Sequence, residues 1–374
     1  MAGIYIHIPF CKQACYYCDF HFSTSLKRKD EMIQAISNEL VMRKHEVLNQ
    51  KIETIYFGGG TPSLLTISEL KVIFEVIYTN FDVVENAEIT LEANPDDLSA
   101  EKIKELAKSP INRLSIGIQS FFEDDLQFMN RAHTAEESKK CLTEALKYFD
   151  NITIDLIYGV PNMSNKKWLK NLQTAFDFGI PHISSYALTV EEKTALYSFI
   201  KKGKILPVDE NLALQHFNIL VDETEKQRFV QYEISNFGKP GYFSQHNTSY
   251  WKGEAYIGIG PSAHSFNGTE RSWNVSNNTK YMKALLENTL PSKTEELTVN
   301  NRFNEYVMTG LRTIWGVSIQ KIEKEFGIPY VEQLKVNARQ YINKGLLEVK
   351  NNVLTTTKKG KFLADGIASD LFII

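Results

Sequence analysis

The sequence predicts an α/β fold: a partial (β/α)6 barrel of parallel strands, followed by a small helical, winged-helix-like domain. Three observations lead there. Short β-rich apolar runs alternate with longer amphipathic stretches through the first half of the chain. Polar and glycine-rich signals recur just after those runs, where the loops of a parallel sheet build a site. Near residue 300 the rhythm changes to helices followed by a short hairpin.

Strands are expected at Ile4–Ile8, Thr54–Phe57, Glu88–Glu92, Arg113–Ile118, Ile152–Ile157 and Ile183–Leu188, with helical patterns near 30–48, 67–79, 99–108, 135–149 and 165–178. Six strands are too few to close an eight-stranded barrel. Beyond residue 190 come a helix near 209–226, a strand at Val230–Ile234 and a Gly- and aromatic-rich region from 236 to 275. Asn301–Arg312, Ser318–Glu325 and Tyr330–Lys344 read as helices, Gly345–Val349 with Val353 and Leu354 as a hairpin, and a terminal helix follows. The expected division is 1–190 for the barrel, 191–298 for its extension and 299–374 for the small domain.

The 374 residues carry 42 basic and 45 acidic side chains, so no electrostatic footprint for nucleic acid is present. The winged-helix-like tail is therefore expected to pack or to contact a partner rather than to bind DNA. The start, MAGIYIHIPF, lacks a basic leader, and no apolar run reaches membrane-spanning length. A soluble, cytoplasmic protein is expected, not an integral membrane protein.

Cys11, Cys15 and Cys18 stand in HIPFCKQACYYCDF, and the rest of the chain has only Cys141. Such density suits iron–sulfur or zinc ligation better than a disulfide framework, and an odd count forbids full pairing within the group. Structural zinc sites need a second ligand pair, which is missing here. Three thiolates on a [4Fe–4S] cube leave one iron open to a small molecule. Cys141, at an apolar helical position, reads as a buried hydrophobe.

Gly58–Thr61 within GGGTPS exposes main-chain amides to close approach, although a tight turn would also account for it. No Walker lysine follows. Glu92, Gln119 and Asp155 lie at or near strand ends, and Arg131 could fork onto a carboxylate; each could equally be a solvated loop residue or a cap. HNTSYW, His246 to Trp251, combines an imidazole with large aromatics, which a haem pocket needs and which plain cores also contain.

Taken together, Cys11-x3-Cys15-x2-Cys18 with Tyr17 before the third cysteine resembles the radical SAM (S-adenosylmethionine) signature. IYIHIPFC, GGGTPS and the polar strand ends resemble the branch that contains oxygen-independent coproporphyrinogen III oxidase. The resemblance implies that the three cysteines hold a [4Fe–4S] cluster whose fourth iron binds S-adenosylmethionine. It further implies that Tyr5, Tyr17, Gly59, Gly60, Thr61, Glu92, Gln119, Arg131, Asp155 and Ala187 line the cofactor region. Two departures count against the oxidase: Phe20 stands where that branch has another cysteine, and Cys11 is almost at the start of the chain. HNTSYW matches the HNxxYW motif of the related haem chaperones, the HemW type, which implies haem contact by His246. The expected role is binding of haem and its transfer to haem-accepting proteins such as respiratory-chain haemoproteins, with transient membrane-protein contact allowed and no catalytic residue assigned. The oxidase, which converts coproporphyrinogen III to protoporphyrinogen IX through a 5′-deoxyadenosyl radical, is the alternative. Whether this chain is an enzyme is left open.

Overall fold

A computed structural model describes residues 2–374. Six parallel strands run β1 (Ala2–Ile8), β2 (Ile52–Gly59), β3 (Val83–Ala93), β4 (Arg113–Gln119), β5 (Ile152–Tyr158) and β6 (His182–Ala187), each adjacent to the next. Between them lie α1 (Lys29–Arg43), α2 (Ile67–Asn80), α3 (Ala100–Leu106), α4 (Glu123–Phe128), α5 (Ala135–Ala145) and α6 (Asn165–Asp177). The α/β class and the partial barrel are as the sequence reads, and the sheet stays open at both edges.

The strands alternate strictly. Ile4, Ile6 and Ile8 of β1 are fully buried against the helix layer, while Gly3, Tyr5 and His7 occupy the alternate, concave face. Ile55 and Phe57 repeat this beside Thr54 and Tyr56, and Leu114 and Ile116 beside Arg113 and Ser115. The outer face thus forms a continuous apolar core, and the concave face is polar and aromatic. Helix starts are well specified: Thr66 with Glu69 and Thr134 with Glu137 form capping boxes on α2 and α5.

After β6 come α7 (Ala195–Lys201), α8 (Glu210–Lys226), β7 (Val230–Glu233), β8 (Asn236–Gly238), α9 (Gln245–Lys252), β9 (Ala255–Ile259), β10 (His264–Phe266), β11 (Glu270–Asn274), α10 (Asn278–Leu286) and β12 (Ser292–Glu296). The irregular look of residues 236–275 conceals a seventh parallel strand. β9 pairs with β1, Ala255 opposite Ala2 and Ile259 opposite Ile6, and β10 to β12 continue that edge antiparallel. β8 and β7 extend the opposite edge beyond β6.

The last segment contains α11 (Val299–Leu311), β13 (Val317–Ser318), α12 (Ile319–Glu325), α13 (Ile328–Asn343), β14 (Leu347–Lys350), β15 (Val353–Thr356) and α14 (Ala364–Asp370). Its hairpin is joined by β13 into a three-stranded sheet, and Phe303, Val307, Leu334, Leu354 and Leu371 form an apolar cluster of their own. Arg312 ties this cluster to the barrel: it pairs with buried Glu233 at 2.8 Å and with Asp365 at 2.6 Å. No helix among the described residues is long and apolar enough to cross a membrane.

Candidate functional site

The loop after β1 carries Cys11, Cys15 and Cys18 over the C-terminal ends of the strands. It is fastened from several sides. Gln13 Nε2 donates to the Asn130 carbonyl at 2.9 Å, and Asn130 Nδ2 returns a bond to Ala14 O at 2.8 Å. Lys12 pairs with Asp96 at 2.9 Å and also with Asp97. These contacts anchor an otherwise irregular loop to the turn after β3 and to the turn after α4.

Beneath the loop lies a cavity of about 450 Å³. All three cysteines reach it, together with Tyr17, Gly59, Gly60 and Thr61. Glu92, Gln119, Arg131, Asp155 and Ala187 complete the expected group. Residues from β2 to β6 therefore meet at one place, although they lie far apart in sequence. Asn94, Ser115, Phe20, Tyr186 and Glu191 also line it, and Phe20 is 67% exposed at the mouth.

The glycines here answer to packing as well as to any ligand. Gly59 has φ +103°, and a Cβ on it would lie 2.4 Å from the His7 ring; one on Gly60 would lie 2.6 Å from Phe10 O. Gln119 takes a left-handed φ of 63°, a strained choice for a side chain of its size.

Two sulfurs already receive donors. Thr61 Oγ1 lies 3.4 Å from Cys11 Sγ, and Arg131 Nη1 lies 3.4 Å from Cys15 Sγ. Donors of this kind stabilise metal-bound thiolates. Burial pushes the Cys11 thiol up and the Cys18 thiol up to about 11, so without a metal these sulfurs favour the protonated form. No three His, Cys, Asp or Glu side chains among the described residues converge on a single-ion site. A [4Fe–4S] cube attaches its thiolates to separate irons, so the three cysteines sharing one cavity wall, two of them with donors, fit that group.

Deeper in the cavity, burial raises Glu92 to about 7, with the charge of Asp155 adding to the effect. Burial also raises Asp155 to about 7, against the pull of Arg113 and Arg131. Tyr56 Oη donates to Glu92 Oε1 at 2.8 Å.

Tyr5 and His246 do not line the cavity. Tyr5 sits on the concave face one layer below, its hydroxyl 3.2 Å from His7 Nδ1. His246 lies lower still, near the N-terminal ends of the strands and thus at the other end of the barrel from the cysteines. Its helix α9 is seated there by Glu88, whose carboxylate accepts from the Gln245 and His246 amides at 3.0 Å each. The imidazole is 1% exposed, with Nδ1 2.7 Å from Thr54 Oγ1 and Nε2 2.8 Å from Tyr250 Oη. Burial, helped by the charge of Arg113, pushes it down to about 3, so it is neutral. In this arrangement neither nitrogen is free for a haem iron, and HNTSYW has the buried setting of a core cluster, which the sequence left open beside a haem pocket. Of the motif's two aromatics, Tyr250 stays on His246 while Trp251 looks elsewhere and stacks on the Arg312 guanidinium at 5.1 Å.

Comparison with known proteins adds to this geometry. Residues 5–175 match the model of the radical SAM superfamily, and residues 297–363 match the HemN C-terminal domain. A Bacillus subtilis protein named heme chaperone HemW is 34% identical over 372 residues, covering 98% of both chains. A Lactococcus lactis protein of the same name is 33% identical over 373 residues, covering 97% of each. Among solved structures, coproporphyrinogen III oxidase (HemN) of Escherichia coli superposes with a TM-score of 0.86, covering 99% of this chain and 90% of that one at 22% identity. That likeness speaks for the fold alone.

Proposed function

Since the chain belongs to the radical SAM superfamily and, within it, to the family of the heme chaperone HemW, we propose that it binds haem and hands it to acceptor haemoproteins, such as those of respiratory chains. The observation that carries this reading is the similarity to named haem chaperones across 98% of both chains. The cavity supports its cofactor half. Cys11, Cys15 and Cys18 would hold a [4Fe–4S] cluster, and S-adenosylmethionine would lie against Gly59–Thr61, Glu92, Gln119, Arg131, Asp155 and Ala187. When bound, that pair supplies a reducing centre beside a cleavable sulfonium. The chain's own residues do the rest: Thr61 and Arg131 place donors on the sulfurs, and the two buried carboxylates offer acceptors to the ligand's amino and hydroxyl groups.

Haem contact by His246, as the HNxxYW motif implies, calls for a second state of the molecule. His246 would hold the iron by Nε2 only after releasing Tyr250 Oη, which now bonds that nitrogen. Haem titration of the anaerobically reconstituted protein tests the proposal, with apomyoglobin as the receiving probe and coproporphyrinogen III plus reductant and S-adenosylmethionine as a parallel assay. The expected result is saturable haem binding, transfer to the probe and no protoporphyrinogen IX. Multiple turnovers of coproporphyrinogen III without haem binding would overturn it in favour of the oxidase.

A further inference from the structure

Tyr56 links His246 to the cavity by contact and hydrogen bond. The His246 ring stacks on Tyr56 with centroids 4.9 Å apart and planes inclined by 22°. Tyr56 in turn donates its hydroxyl to Glu92 Oε1 at 2.8 Å, and Glu92 lines the cavity. From below, Thr54 and Tyr250 hold the imidazole by both nitrogens, so it cannot rotate without losing a buried hydrogen bond. A third ring, Tyr5, packs against both, 6.2 Å from Tyr56 and 6.4 Å from His246. The layers run Thr54 and Tyr250, then His246, then Tyr56, then Glu92.

We propose that His246 is a positioning residue of the S-adenosylmethionine cavity, acting through Tyr56 to aim the Glu92 carboxylate. The proposal rests on the reading of that cavity as the S-adenosylmethionine site. Its physical basis is that a phenol hydroxyl directs a carboxylate only if its own ring is fixed. Tyr56 lies at the middle of β2, where its ring needs a flat partner on the concave face to hold its angle. His246 supplies that face, and its two hydrogen bonds make the face rigid. The role requires an imidazole that is neutral and buried, which is the state found. It also explains why the His246 ring lies inside the barrel, where it meets Tyr56 instead of solvent.

A double-mutant cycle tests this, with S-adenosylmethionine binding measured by calorimetry on the cluster-reconstituted full chain. Tyr56→Phe removes the hydroxyl on Glu92 and is expected to weaken binding about tenfold, the size of one hydrogen bond to a charged group. His246→Ala is expected to weaken it by a similar factor, and the double variant no further than the larger single effect. A pH series adds a readout that general loosening would not move. Glu92 faces Tyr56, Tyr5, Tyr186, Tyr250, Asp155 and Arg113, and of these only Tyr56 donates to its carboxylate. Loss of that donor raises Glu92 further, so in both variants the fall of binding on acidification begins at a higher pH than in the wild type. Additive effects, or wild-type affinity and an unmoved pH midpoint in His246→Ala, would overturn the positioning role alone. Absence of S-adenosylmethionine binding by the wild type would instead overturn the reading of the cavity, and the proposal with it.

Discussion

Arg131 joins Cys15 to the strand ends: its Nη1 lies 3.4 Å from Cys15 Sγ, while Nη2 donates to Asn94 Oδ1 at 2.6 Å and to Gly117 O at 2.9 Å. A guanidinium can serve these directions at once because its donors are fixed in one plane. Lysine cannot. In Arg131→Lys the cysteine loop keeps a positive charge nearby but loses the fork, and the sulfur donor is lost first. The expected outcome is a reconstituted protein whose cluster absorbance bleaches several-fold faster in air than that of the wild type. Equal bleaching rates would show that the Arg131 fork plays no part in holding the cluster.

Arg312 carries the junction between the barrel and the terminal domain. Glu233 is 1% exposed and also accepts from the Ser235 amide at 2.9 Å, so its carboxylate is buried with Arg312 as its charged partner. Arg312→Ala strands that carboxylate and frees Trp251 from its cation. Breaking a buried pair on one side costs about 3 kcal/mol. Urea denaturation should therefore show a lower midpoint, and Arg312→Ala combined with Glu233→Gln should recover part of the loss.

The neutral state of His246 has a consequence for acid stability. Its folded value, about 3, lies below the ordinary imidazole value of 6.5, so its contribution is present above that ordinary value and is lost as pH falls toward 3. His246→Gln removes a titrating group and keeps an amide for hydrogen bonding. The variant is expected to be less stable than the wild type at neutral pH, with the gap narrowing as the medium is acidified. Thermal melts across a pH series check this, and a gap that does not change with pH would contradict it.

What was legible in the sequence followed the range of the interactions. Six strands and their helices show as local patterns because Ile4, Ile6 and Ile8 or Leu114 and Ile116 must face one apolar layer. The cysteine spacing and the polar strand ends mark the cavity for the same reason, since a parallel sheet brings its loops to one face. The pairing of β9 with β1 is different. Ala255 meets Ala2 from the far side of the sequence, and nothing in AYIGIG alone says which edge it will join. The seat of His246 depends on the same kind of distance: its partners Thr54, Tyr56 and Glu88 lie far upstream in the sequence, so HNTSYW alone leaves a haem pocket and a plain core both open. A signal toward its seat is the alternation of β2, which puts Thr54 and Tyr56 on the concave face with hydroxyls that need partners.

Asp155 sets ligand binding against stability. Burial lifts its folded value to about 7, above the ordinary 3.8, despite the favourable charges of Arg113 and Arg131. A group raised in this way contributes stability that is fully present below its unfolded value and lost as pH rises through the folded one. At mildly alkaline pH the empty cavity therefore carries a buried carboxylate under strain, a common property of binding sites. Asp155→Asn keeps the shape and removes the charge. The variant is expected to melt at a higher temperature than the wild type at about pH 8 and at the same temperature at about pH 4, where the wild-type carboxyl is protonated in the folded state. Its affinity for S-adenosylmethionine should fall, because the acceptor that the wild type holds ready for the ligand is weakened. Scanning calorimetry at the two pH values decides the matter: a variant less stable than the wild type at alkaline pH would mean that Asp155 is held by its arginine neighbours for structure rather than kept for a ligand.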